Sequence, residues 1–318
     1  MTMQNPVALR PLGSTGLMCS PLTFGTSSLG RGTRRGDEAE RAAVELARAL
    51  LTGPFSLVDT SNAYAEGRSE EVLGLARRAV PRAELAPDRS IVTKTDRDLA
   101  TGIFDRDRVL RSFEESCRRL GVDRVPLVHL HDPYTVTFEE ASGPRGAIAG
   151  MVELKERGLV DAIGIAAGRI SVVQDYVRTG VFDALLTHNR YTIVDQSAEP
   201  LIREAHQRGM AVFNAAPFGG GLLASGVASK RHYAYQTSSP ELLSWVRRVE
   251  LLCVEHDVTL PRVALQFSLR SEFIHSTVVG VSSTIRMAAL EELRRSYVPD
   301  DFWGALDRLG PAPSPLTD

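Results

Sequence analysis

Eight short β-type runs alternate along this chain with longer helix-like stretches. Most of the strand-to-strand spacings are about 25–35 residues, the size of a strand–helix–strand unit. The runs lie near 21–25 (P-L-T-F-G), 56–59 (S-L-V-D), 90–94 (S-I-V-T-K), 126–131 (P-L-V-H-L-H), 161–166 (D-A-I-G-I-A), 182–187 (F-D-A-L-L-T), 210–215 (M-A-V-F-N-A) and 276–281 (S-T-V-V-G-V). Helical patterning fills 37–51, 69–80, 105–120, 145–157, 170–179, 197–208 and 240–256. Apolar residues recur there at helical spacing, with acids in the opening turn of the first stretch. The stretch 197–208 opens on Ser197 and Glu199 and stops at Gly209. Such alternation leaves two architectures, a closed barrel or an open doubly wound sheet. The open sheet usually follows its first strand with G-x-G-x-x-G. Here that strand is followed by G-T-S-S-L-G-R-G, which does not fit. The expected fold is therefore α/β, a (β/α)8 TIM barrel. The segment 7–20 reads as an N-terminal β-hairpin around Gly13-Ser14-Thr15-Gly16. The expected organisation is a single barrel domain over 1–318, with its core at about 8–290 and a loose tail at 311–318. The gap at 216–239 is too long for a simple connection, a length typical of functional lids or disordered segments.

Composition narrows the function classes. A net charge of −2 gives no global electrostatic case for nucleic acid or an anionic membrane. No run approaches the roughly 18 apolar residues of a membrane span. Cys19, Cys117 and Cys253 are scattered and odd in number, against a disulfide framework. With no apolar signal-like core at the N-terminus, the expectation is a cytoplasmic protein acting on a small molecule. The oligomeric state is not legible.

Barrel enzymes place their chemistry at the C-terminal ends of the strands. Asp59, Lys94 and His131 end the second, third and fourth runs, and Tyr64 follows Asp59 in the next loop. Hydride transfer to a carbonyl carbon leaves negative charge on oxygen, which needs a proton. A free phenol, with pKa about 10, is a poor acid at neutral pH. An ammonium beside it favours the phenolate and draws its pKa toward the working range. Lys94 can supply that charge, Asp59 can hold Lys94 charged and oriented, and His131 can hydrogen-bond the substrate oxygen. Taken singly, each residue has a plainer reading: a cap, a rim lysine, a packed tyrosine, a core histidine. Four required types in order at four predicted strand ends outweigh those readings.

The contexts V-D-T-S-N-A-Y, I-V-T-K-T and V-H-L-H-D-P together resemble the active site of the aldo-keto reductases, and the resemblance runs from about residue 8 to about residue 290. It implies the same four catalytic roles for Asp59, Tyr64, Lys94 and His131, a hairpin closing the barrel floor, and NAD or NADP as cofactor. A rival reading starts from His129 and His131, which share one face of their strand. With Lys94, His188 and nearby carboxylates they would make the metal site of a barrel hydrolase. That pattern usually sits on the first strand, so no metal is expected and His129 reads as a buried neighbour.

P-F-G-G-G-L-L-A-S-G at 217–226 places Phe218, Gly219, Gly220, Gly221 and Leu222 where backbone N–H groups can approach a pyrophosphate. Lys230 and Arg231 lie further along the same loop. G-V-S-S-T-I-R at 280–286 places Gly280, Ser282, Ser283 and Arg286 at a strand end and helix start, a ready anion site. Thr26, after the first strand, joins the candidate cofactor contacts. NADP-preferring members of the resembled family commonly carry a lysine where this chain has Gly280. That tilts the expectation toward NAD, and Arg286 keeps NADP open. The Ser-Asn pair that usually grips the nicotinamide falls at Ala166-Ala167, its glutamine partner at His188, the stacking aromatic at Ala215 and an adenine-contacting asparagine at Leu290. His188, Asn189 and Phe218 are the candidates to substitute.

R-Y-T-I-V-D-Q-S-A at 190–198 resembles a branch that includes L-fucose, D-threo-aldose and pyridoxal dehydrogenases. The branch implies oxidation of a small hemiacetal to a lactone; reduction of an aldehyde or ketone is the alternative. Outside that class stands a redox-sensing barrel that binds the dinucleotide with little turnover.

Overall fold

The computed structural model describes residues 7–81, 84–85, 89–313 and 316. All eight β-type runs are strands: Leu22–Gly25, Leu57–Asp59, Ser90–Thr95, Val125–His131, Val160–Ala166, Ala184–His188, Ala211–Ala215 and Ser276–Gly280. They pair in parallel in chain order, and the eighth returns to the first, with Val278 opposite Thr23. The (β/α)8 barrel is thereby closed.

Side-chain alternation sorts these strands into two surfaces. Leu57, Val92, Leu127, Ala184, Ala211 and Val278 pack together inside the barrel. Their neighbours Val58, Ile91, Val128 and Leu130 pack outward against the helices. The parity that sends Leu57, Val92 and Leu127 inward also sends Asp59, Lys94, His129 and His131 inward, one or two pleats nearer the mouth.

The hairpin pairs Arg10–Pro11 with Met18–Cys19 and plugs the opposite end. Leu12 and Cys19 join the interior cluster, and Ser14 N–H donates to Gly209 O at 2.8 Å. Gly13 is required there: its φ is +55°, and a Cβ would lie 2.5 Å from Ala211 N.

The outer helices follow the periodic stretches closely. Asp37 caps Glu38–Thr52 by accepting from Glu40 N–H at 2.6 Å, and Asp105 caps Arg106–Leu120 by accepting from Arg108 N–H at 2.8 Å. The helix expected to open at Ser197 begins instead at Glu199. Asp195 Oδ1 takes both the N–H and the hydroxyl of Ser197, so this serine belongs to the preceding turn. Helices at Leu260–Leu269 and Asp300–Arg308 lay outside the stretches assigned from sequence. The first carries Pro261 in its opening turn behind a Thr259 cap, a start signal that the periodic reading passed over. The 216–239 gap is ordered: a 3-10 turn at Gly219–Gly221, a helix at Leu222–Ser225, and a hairpin pairing His232–Tyr233 with Gln236–Thr237. Of the expected loose tail, residues 314, 315, 317 and 318 lie outside the described residues. Leu316, however, is docked, its carbonyl accepting from Arg190 Nη1 at 3.3 Å.

Candidate active site

Lys94 is the centre of the mouth. Its side chain is 1% exposed, and Nζ lies 2.7 Å from each oxygen of Asp59 and 2.8 Å from Thr60 O. It also donates to the Tyr64 hydroxyl at 3.1 Å and stands 4.5 Å from that ring's centroid. Register explains the meeting of acid and base. Asp59 lies opposite Val92, one pleat below Lys94, so the long lysine folds back onto the shorter carboxylate.

Tyr64 reaches the same point because its loop is bent back. Thr60 N–H donates to Val92 O at 2.9 Å, Asn62 N–H to Lys94 O at 3.2 Å, and Ala63 N–H to Asp96 Oδ2 at 2.9 Å. The turn that follows holds Ala65 and Glu66 at φ of 50° and 56°, a left-handed conformation that costs energy in side-chain-bearing residues. Arg119 secures it from below, donating to Asn62 O at 2.9 Å and to Glu70 Oε2 at 3.1 Å.

The electrostatics differ from the simple expectation for Tyr64. Burial pushes its hydroxyl up to about 12, and the Lys94 ammonium, which pulls the other way, does not offset it. The Asp59 carboxylate adds to the rise. Tyr64 is thus a neutral phenol through the physiological range, fit to donate rather than to stand as a phenolate. Burial works against charge on Lys94 more than any single neighbour favours it, but Asp59 and the Tyr64 oxygen together outweigh it and raise the lysine pKa. An ammonium held this way has no lone pair for a metal, which removes Lys94 from the hydrolase reading.

His131 completes the group, its ring edge-on to Tyr64 with centroids 5.7 Å apart. Its Nδ1 is 2.7 Å from Asp96 Oδ1 and 3.2 Å from the Ser61 hydroxyl. Asp96 was not singled out in the sequence. Its signal is K-T-D: it stands two residues beyond an inward-facing lysine, just past the end of the strand, so the strand's alternation continues toward the same side. His129 sits one layer deeper, fully buried and edge-on to Phe213 at 5.7 Å. Burial, then Lys94 and His131, hold its pKa well below the ordinary value, so it is a neutral neighbour. Among the described residues no group of three or more His, Cys, Asp and Glu is arranged around a metal position.

The proposed cofactor contacts are more scattered. His188 ends its strand with Nε2 3.9 Å from Asp132 Oδ1 and its ring edge-on to Tyr235 at 6.1 Å. Only glycine fits at 168, where a Cβ would lie 2.6 Å from His188 Cε1. Asn189, at φ 60°, is 3% exposed, and its buried Oδ1 has no hydrogen-bond partner. These residues, with Asp132, Tyr134, Arg169 and Tyr235, line a cleft of about 400 Å3. Gly280 is open, with nothing within 4 Å of a Cβ position. Ser283 caps Thr284–Arg295 by accepting from Arg286 N–H at 3.3 Å, while Ser282 and Arg286 are exposed.

Five candidates take part in the protein's own packing. Thr26 is fully buried; its hydroxyl donates to Asp59 O at 2.8 Å and accepts from Ser69 at 2.8 Å, tying the first two strands together. Leu222 lies in an apolar cluster, and Phe218 packs between two such clusters. Gly219 and Gly220 serve the lid's own packing. A Cβ would come within 2.3 Å of the Tyr233 ring at the first and 2.7 Å of Ala234 O at the second. Gly221, at φ 107°, has only Lys230 Cε near, at 3.6 Å.

Tyr233 explains what the R-Y-T-I-V-D-Q-S-A segment does structurally. Its buried hydroxyl lies 2.7 Å from Thr192 Oγ1 and donates to Asn189 O at 2.8 Å, so 189–198 is the socket that anchors the lid.

Against known proteins, the model of the aldo/keto reductase family matches residues 21–310. The chain is 32% identical over 296 residues to L-galactose dehydrogenase of Arabidopsis thaliana, covering 90% of this chain and 89% of that protein. It is 28% identical over 329 residues to pyridoxal 4-dehydrogenase of Microbacterium luteolum, covering 93% and 96%. Among solved structures, the holo form of an aldo-keto reductase from Bacillus halodurans matches with a TM-score of 0.77 at 22% identity, over 97% of this chain and 98% of that one.

Proposed function

The chain belongs to the aldo/keto reductase family of NAD(P)-dependent oxidoreductases acting on small aldose or carbonyl substrates, and from that premise we propose that it oxidises the hemiacetal carbon of a small cyclic aldose, with Tyr64 as the residue that exchanges the proton at the reacting oxygen. The observation that carries this reading is the Lys94 ammonium, shared between the Asp59 carboxylate and the Tyr64 hydroxyl at 2.7 and 3.1 Å. Its positive charge favours any negative charge developing on the phenol or on an oxygen beside it. His131 orients that oxygen from the other side. The names of two relatives, an L-galactose dehydrogenase and a pyridoxal 4-dehydrogenase, support an aldose or another aldehyde able to form a hemiacetal as the substrate class.

The residues present fit a nicotinamide dinucleotide. Asn189 Oδ1, buried and unpartnered, is an acceptor suited to a carboxamide N–H. The opening turn of Thr284–Arg295, with exposed Ser282 and Arg286, suits a phosphate. When bound, the nicotinamide takes up or returns the hydride. The protein's own part is to hold the reacting oxygen between Tyr64 and His131 and to keep bulk water from Lys94. Asp132, whose buried Oδ1 accepts no hydrogen bond among the described residues and has His188 Nε2 beside it at 3.9 Å, suits a further hydroxyl of the sugar.

Mixing the purified protein with NAD or NADP and a panel of aldoses and pyridoxal, and following formation of the reduced nicotinamide, tests the proposal. A rise with an aldose supports it and identifies the cofactor. Turnover only in reverse, with reduced cofactor and simple aldehydes, would replace it with a carbonyl reductase. Tight cofactor binding without turnover in either direction would favour a redox-sensing barrel.

A further inference from the structure

We propose that Asp96 is a positioning residue that fixes the tautomer of His131, making the imidazole Nε2 the atom on which the proton of a substrate hydroxyl comes to rest. This rests on the reading of the mouth as a dehydrogenase site.

Asp96 is 3% exposed and directs Oδ1 at His131 Nδ1, 2.7 Å away. A carboxylate accepts, so Nδ1 carries the hydrogen and the neutral ring has its lone pair on Nε2. Nε2 makes no hydrogen bond among the described residues; Asp132 Oδ2 stands 3.8 Å from it, on the wall of the cleft.

The Asp96 carboxylate is itself braced. Its Oδ2 takes the Ser61 hydroxyl and the Ala63 N–H, while Ser112 Oγ accepts from its N–H at 2.9 Å and Arg108 Nε donates to its O at 2.9 Å. One side chain thus orients the imidazole and, through Ala63, the loop that carries Tyr64.

The need for such a partner follows from Tyr64. A phenol pushed up to about 12 can donate a proton but cannot remain a phenolate at neutral pH. In oxidation, the carbon–hydrogen bond of the substrate breaks with its electron pair passing to the oxidised nicotinamide. The hydroxyl proton leaves the oxygen as the carbonyl forms. It leaves by way of Tyr64, which exchanges it at the substrate oxygen, and ends on His131 Nε2, where the resulting imidazolium is stabilised by Asp96. Reduction draws the proton from the same place.

The groups facing the ring are Lys94 on the third strand and Asp96 just past its end, Asp59 and Tyr64 from the second strand and its loop, His129 on its own strand and Asp132 just past its end, and His188 beyond Asp132. Burial and Lys94 disfavour the imidazolium; Asp96 and then Asp132 outweigh them and raise the His131 pKa.

The test begins without substrate or cofactor. In protein labelled with 15N-histidine, the His131 signals should show the Nδ1–H tautomer when neutral. In Asp96→Asn, which can still accept from Ala63 N–H, the titration midpoint of His131 should fall by about one pH unit or more, because a neighbouring opposite charge is lost. The pH profile of kcat/KM for oxidation should rise through the same midpoint in the wild type and shift downward by the same amount in the variant. An Nε2–H tautomer in the wild type would overturn the proposal, and that measurement needs no variant to fold. So would a rate profile that stays in place while the His131 titration moves. Lack of dehydrogenase activity would instead sink the functional reading and leave the tautomer result standing.

Discussion

On one side of the barrel mouth Asp59, Lys94 and Asp96 are buried and bonded to one another or to His131 and Tyr64 at 2.7–3.1 Å. On the other side Gly280, Ser282 and Arg286 are exposed, Asn189 Oδ1 is unpartnered, and Tyr235 at the lid tip is 83% exposed. The acid–base half is built at strand ends, and its lysine and two carboxylates are satisfied by the protein alone. The half assigned to the cofactor is left with open donors and acceptors. The contrast implies that the first half should be costly to disturb in the free protein, while the second should register changes only when a dinucleotide binds.

The largest expected effect is on turnover. Tyr64→Phe should lower kcat by roughly 100- to 10,000-fold, the usual contribution of a positioned acid or base. Cofactor affinity, read by fluorescence titration, should barely change. Near-normal turnover would break the acid–base half of the comparison outright. Next comes stability. Lys94→Met leaves Asp59 buried without its partner and should cost about 3–5 kcal/mol in urea unfolding. Asp59→Leu added to it should recover part of that loss, since two apolar groups replace the pair; a double variant no better than the single would show that Asp59 is not the stranded charge.

A smaller effect separates two glycines. Gly219→Ala meets the Tyr233 ring at an unfavourable φ of +54°, and should cost about 1–3 kcal/mol and speed proteolysis within 216–239. Gly280→Ala, with open space around it, should leave both unchanged. Equal losses would mean that the Gly280 corner is not open in solution. The smallest effect is on cofactor choice. Arg286→Ala should raise the Kd for NADP roughly two- to fivefold and leave NAD nearly unaffected, as befits an exposed cation. Parallel losses for both would show that Arg286 does not meet the 2′-phosphate.

Local patterns were legible because they depend on neighbours in the chain. The period of the β-type runs and their spacing determined eight strands and the barrel, the Gly13–Gly16 turn marked the hairpin, and strand parity sent Asp59, Lys94 and His131 to one surface. Beyond the strand ends, Tyr64 apart, contacts were not legible. Asp96 is one of many aspartates until the closure of the third and fourth strands sets it beside His131. The rise in the Tyr64 pKa depends on how completely the mouth is sealed, and a sequence shows the nearby lysine but not the missing water. The glycines of 219–221 suggest a phosphate cradle in one dimension; that the first two also make room for the returning hairpin shows only in three. The sequence by itself determined which residue types could meet at the mouth, since strand period and order are local properties. The tertiary structure decided which of them do meet, and in what charge state, because burial and hydrogen-bond geometry belong to the closed barrel as a whole.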